Sequence, residues 1–103
     1  MKNKFVSLLI ISFVLFSQNL YAGVTCDAEK ITQILIYDSK IVVRQGNIYR
    51  GLGFSSSAKN QDRKLSVIMA AKATGDLVQL TYPEGYNCSE DNYGEDPELV
   101  VVK

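Results

Sequence analysis

Histidine and tryptophan are absent from the 103 residues, and cysteine occurs only twice. Without His there is no Ser-His-Asp triad, no imidazole acid or base and no His-based metal site. Without Trp, any flat stacking surface has to come from Tyr or Phe. Neither sign of charge dominates, since 11 Lys and Arg face 11 Asp and Glu. A nucleic-acid partner would call for a basic surface, so that class is set aside. Nothing after residue 22 approaches the roughly 20 apolar residues of a spanning helix, so no membrane span is expected.

What is present begins with a leader. Lys2 and Lys4 precede the apolar run Phe5 to Phe16, followed by the polar break Ser17-Gln18-Asn19 and the small residue Ala22. This predicts a signal peptide over residues 1–22 and a secreted or periplasmic domain over residues 23–103. Losing Lys2 and Lys4 leaves that domain with a slight excess of acids. A domain this small buries roughly 60% of its unfolded surface and is marginally stable unaided. Cys26 and Cys88 lie near its two ends. In an oxidising compartment they allow one bridge. Closing a loop of about 60 residues would stabilise by about 4 kcal/mol in the chain-entropy model.

Lys30 to Asp38 is rich in β-branched and aromatic residues, and Asp38-Ser39-Lys40 supplies a turn before Ile41 to Arg44. A hairpin is expected there. Gly46-Asn47 gives a second turn before a third strand, Ile48 to Phe54, whose spaced glycines suggest a bend. Asp62 is placed as the cap of a helix over Arg63 to Thr74, with Gly75 as its left-handed terminator. Val78, Leu80 and Tyr82 alternate with Leu77, Gln79 and Thr81 in a half-buried strand ended by Pro83. A closing strand spans Glu98 to Lys103. The fold class expected is mainly β with one α-helix: a small five-stranded barrel of the oligonucleotide/oligosaccharide-binding (OB) type, with one disulfide. Closure would remove exposed sheet edges.

From Leu65 to Ala71 only Ser66 is polar. One stripe holds Leu65, Ile68, Met69 and Lys72, and another holds Val67, Ala70, Ala71 and Thr74. A helix apolar around so much of its circumference is covered either by a partner chain or by its own loops. The first reading makes Leu65, Ile68, Met69 and Ala71 the oligomer contact.

The stretch Lys64-Leu65-Ser66-Val67-Ile68-Met69-Ala70-Ala71-Lys72-Ala73-Thr74-Gly75, followed by Leu77 to Tyr82, Cys88 and Glu98 to Val102, resembles the second half of the Shiga toxin B subunit. Thr32-Gln33-Ile34 and Asp38-Ser39-Lys40-Ile41 resemble the first hairpin of the cholera and heat-labile enterotoxin B subunits. The resemblance covers most of residues 23–103. It implies a ring, usually of five copies, whose helices line a central pore and whose outer faces bind host-cell glycans, with an enzymatic A subunit as a possible partner. Those toxins often stack a sugar on Trp, which this chain lacks, and none of their binding residues is carried over.

Tyr37 and Tyr82 are expected to point inward from strands. Tyr49, Phe54, Tyr86 and Tyr93 fall at strand ends or in loops, with Asn47, Arg50, Asn87 and Asn92 nearby in sequence. Each alone is explained by packing; as a set they are the candidate glycan-binding surface. The acidic loop Glu90 to Asp96 does not fit the spacing of a calcium loop and is read as solvated. With no catalytic residue, metal or cofactor assigned, the expected function is a non-enzymatic, glycan-binding module resembling a toxin B subunit. The alternative is a small periplasmic protein that binds or inhibits another protein, without a sugar site.

Overall fold

The structure is a computed structural model, and it describes residues 23–103. The predicted leader lies outside the described residues. Six strands and one helix follow in the order β1 (Val24–Thr25), β2 (Glu29–Ile36), β3 (Lys40–Gln45), β4 (Ile48–Phe54), α1 (Gln61–Thr74), β5 (Leu77–Tyr82) and β6 (Leu99–Val102). The protein is mainly β, and all strand pairings are antiparallel.

Two short turns place the meander β2-β3-β4. Tyr37 N donates to Lys40 O at 2.9 Å across the first. At the second, Gly46 adopts φ 58°, a left-handed conformation open to glycine at little cost. The register that follows sets Gln45 opposite Ile48, Arg44 opposite Tyr49 and Val43 opposite Arg50. Ile41, Val43, Leu52, Val78, Leu80 and Tyr82 then face one core with Ile68 and Ala71 of the helix. The inward alternation expected in β5 is present.

The expected five-stranded closed barrel is corrected in two respects. A sixth strand, β1, pairs with β5 beside the end of β2, and Cys26–Ala28 between β1 and β2 belong to no strand. The sheet is also open: its order runs β4-β3-β2-β5 with β6 on the far edge of β5, and no β4–β6 pairing occurs among the described residues. The free edge of β4 is satisfied by other means. Tyr49 N donates to Asp91 Oδ1 at 3.0 Å, and Tyr49 O accepts from Asn92 N at 2.9 Å. Gly51 O accepts from the Tyr82 hydroxyl at 2.6 Å, and Gly53 O from Gln61 Nε2 at 2.8 Å. Loop and side chains thus occupy the positions a neighbouring strand would take.

The helix begins one residue before Asp62, with Asn60 in a left-handed conformation at its N-cap and no side-chain capping bond. Asp62 therefore lies in the first turn, where its charge favours the positive end of the helix, rather than at the cap. Gly75 terminates the helix at φ 76°, as expected. The seam against the sheet is Gln61, Lys64, Leu65, Ile68 and Ala71. Two of its members are polar because their work is polar: Gln61 serves β4, and Lys64 Nζ meets Asp96 Oδ1 at 2.8 Å and donates to Pro97 O at 2.6 Å. Ile68 and Ala71 are buried in the protein's own core, with Leu65 packed against it. Of the four residues assigned to an oligomer contact only Met69 is well exposed, at 54%, and Val67 joins it on the outer face.

The predicted bridge is present. Cys26 and Cys88 are joined at 2.03 Å, tying the end of β1 to the loop before β6. No helix among the described residues is long and apolar enough to cross a membrane.

Candidate functional site

Strand alternation gives the β3–β4 hairpin two faces, and the second one faces away from the core. Its rows follow from the register: Arg44 beside Tyr49, Val42 beside Gly51, Lys40 beside Phe54. Over this face passes the Asp91–Asp96 loop. Its approach is so close that a Cβ at Gly51 would stand 2.6 Å from Glu95 O and 2.9 Å from Glu95 N. Gly51 is thus the residue that lets the loop lie on the sheet. Gly94 in turn sits beneath the Phe54 ring, where a Cβ would come within 2.8 Å of Phe54 Cε2.

The loop is held from within and from both sides. Asn92 Oδ1 accepts from Gly94 N at 3.1 Å and from Glu95 N at 3.0 Å. Asp96 Oδ2 accepts from Lys59 N at 3.0 Å while Oδ1 meets Lys64. Its acids are therefore anchors as well as solvated groups, and no metal-holding cluster occurs among the described residues.

This path sets Tyr93 on Tyr49, with ring centroids 5.7 Å apart and planes inclined by 25°. The Arg44 guanidinium lies 5.5 Å from the Tyr49 centroid. Arg44 Nη2 donates to Asn47 Oδ1 at 3.4 Å, which fixes the side chain over the ring. At the neighbouring turn, Lys40 Nζ stands 4.9 Å over the Tyr37 ring. Tyr37, Phe54 and Tyr93 are 44%, 43% and 42% exposed. The Tyr93 phenol is held above its ordinary ionisation by partial desolvation and then by the charge of Asp91, with Tyr49 and Tyr37 contributing less. It stays a neutral hydroxyl at neutral pH. The result is an exposed aromatic face bordered by two cations, amides and carboxylates.

Three of the four aromatic candidates, Tyr49, Phe54 and Tyr93, are brought together here. Tyr86 is not. Its ring stacks on Tyr82 at 3.8 Å and 6°, packed against the core, with its hydroxyl buried and unpartnered among the described residues. Tyr37 belongs to the exposed face and not to the core, because the strand ends at Ile36 and the turn carries its ring outward. Arg50, grouped with Tyr49 by sequence, is buried on the opposite face of β4. Arg44 takes its place, and the signal was available: a two-residue turn at Gly46-Asn47 pairs Arg44 with Tyr49 across the hairpin. Asn87 Oδ1 accepts from Ser89 N at 2.9 Å in the loop around the bridge.

No protein-family model, curated protein or solved structure matches this chain.

Proposed function

We propose that the chain is a secreted, non-enzymatic binding module of the toxin-B-subunit type that recognises host-cell glycans through the aromatic face of β3 and β4 as part of a homo-oligomeric ring, most simply a pentamer. The observation that carries this reading is the Tyr93–Tyr49–Arg44 stack beside Tyr37 and Lys40. A sugar ring lies its C–H face on a tyrosine while neighbouring amides, carboxylates and cations bond its hydroxyls, so a chain without Trp can still bind carbohydrate. The sheet order, with the helix inserted between β4 and β5, supports an OB-type arrangement in which the Asp91–Pro97 segment stands where strand closure would occur. Assembly is supported by the exposed Val67 and Met69 of α1, the exposed Leu99 and Val102 of β6, and the unpaired outer edge of β6 among the described pairings. Single sites of this kind are weak, and a ring raises avidity by presenting several at once.

The test is a glycan array probed with the disulfide-intact protein, alongside native mass spectrometry. A closed oligomer should bind a defined glycan set, and Tyr93→Ala should abolish that binding without changing the oligomer or the thermal midpoint. An assembled protein that binds no glycan would replace the sugar reading with a protein-binding one. A monomer at tens of micromolar would remove the ring.

A further inference from the structure

Arg50 is buried without a carboxylate partner among the described residues. The Arg50 side chain is only 4% exposed, and its contacts are neutral. Nε donates to Gln45 Oε1 at 2.9 Å, and Nη1 donates to Cys88 O at 3.0 Å and lies 3.3 Å from Cys26 Sγ. Gln45, itself fully buried, is fixed for this role by donating Nε2 to Glu29 O at 3.1 Å and Val78 O at 2.8 Å. The ion pair Lys64–Asp96 is the one salt bridge among the described residues, so no carboxylate contacts the guanidinium. Burying a charge without a counter-ion is costly, and neutral acceptors offset only part of that cost.

The remaining nitrogen, Nη2, makes no hydrogen bond among the described residues. Arg50 lines a cavity of about 360 Å³ bordered by Asp27, Glu29, Asn47, Cys88 and Ser89. The volume is that of a small-molecule site. Its charge pattern is mixed: a fixed guanidinium with unused donors, and two carboxylates at the same opening. A simple anion would meet Arg50 but be opposed by Asp27 and Glu29. A simple cation would meet the carboxylates but be opposed by Arg50. A group carrying a carboxylate beside an ammonium satisfies all three charges.

We infer that this cavity binds a small zwitterion with the headgroup of an α-amino acid. The carboxylate accepts from Arg50 Nη2, and the ammonium faces Asp27 and Glu29. Gln45 and the Cys88 carbonyl hold the guanidinium in place, and the Cys26–Cys88 bridge fixes one wall. The site lies on the opposite side of β4 from Tyr49 and shares Asn47 with the border of the aromatic face.

The experiment is a ¹H–¹⁵N NMR titration of the oxidised protein with alanine, N-acetylalanine and alaninamide, which carry both charges, the anion alone and the cation alone. Alanine should shift the amides of Asn47 and Ser89 and the Arg50 Nε–H, and each singly charged probe should bind about tenfold or more weakly, as loss of a charged hydrogen bond predicts. Arg50→Gln should abolish binding, but it also removes core hydrogen bonds. The decisive variant is therefore Asp27→Asn with Glu29→Gln, which leaves Arg50 and its partners in place. It should weaken alanine and strengthen N-acetylalanine. Absence of shifts at about 50 mM alanine, a range where even very weak sites fill, would overturn the inference. Equal affinity for either singly charged probe, or unchanged alanine affinity in the double variant, would do the same.

Discussion

The ring of Tyr93 rests on that of Tyr49 at 5.7 Å, joining a loop near the C-terminal end of the domain to β4, the edge strand of the sheet. The backbone repeats the junction, since Tyr49 bonds Asp91 and Asn92 through its N–H and C=O. The pair should therefore be energetically coupled. In a double-mutant cycle, Tyr49→Ala and Tyr93→Ala should show a coupling of about 0.5–1 kcal/mol in urea unfolding, the scale of an aromatic pair beyond its buried area. Additive effects would show that the stack contributes nothing of its own.

Gly51→Ala tests the close approach on which the aromatic face depends. Its new methyl would meet the backbone of Glu95 at 2.6 Å, and backbone cannot rotate aside as a flexible side chain does. The expected cost is about 2 kcal/mol, within the range of overpacked sites. Loss of the Tyr93-to-Tyr49 nuclear Overhauser contacts should accompany it. A variant as stable as the parent with the contacts intact would refute the packing.

The bridge between Cys26 and Cys88 spans a sequence separation of 62. Replacing both cysteines with Ala should lower stability by about 4 kcal/mol, because the unfolded chain regains the freedom that the closed loop denies it. Denaturant midpoints of the oxidised and substituted proteins measure this directly. The unreduced protein should also yield a Cys26–Cys88 linked peptide in mass spectrometry.

Alkaline pH should destabilise the fold through Tyr82. Burial, with a smaller contribution from Tyr86 and partial opposition from Arg50, raises its ionisation far above the ordinary 10.0. Below 10.0 both states hold the proton and the contribution to stability is complete. Above it the unfolded chain releases the proton while the folded protein keeps it, so stability falls by about 1.4 kcal/mol per pH unit. Urea midpoints at about pH 9 and about pH 11 should diverge in the parent and less so in Tyr82→Phe. That variant should start about 1 kcal/mol lower through loss of the bond to Gly51 O.

Local rules, applied to the sequence, were enough for the hairpin around Asp38-Ser39, the turn at Gly46-Asn47, the inward set Val78, Leu80 and Tyr82, the end of α1 at Gly75 and the single bridge. These depend on a period of two, on left-handed glycines and on a cysteine count, all of which act within a few residues or admit one pairing. The tertiary structure alone decided which face of α1 is buried. The seam includes Gln61 and Lys64, whose polarity is reasonable only once the Gly53 carbonyl and Asp96 are beside them, so a hydrophobicity stripe misplaces it. It also decided that Tyr86 is core while Tyr37 is surface, that Arg50 points inward, and that the sheet stays open. Each of these turns on what a distant segment, the Asp91–Asp96 loop or the Cys88 carbonyl, supplies to an edge or a cavity, and long-range partners of that kind leave no periodic trace in the chain.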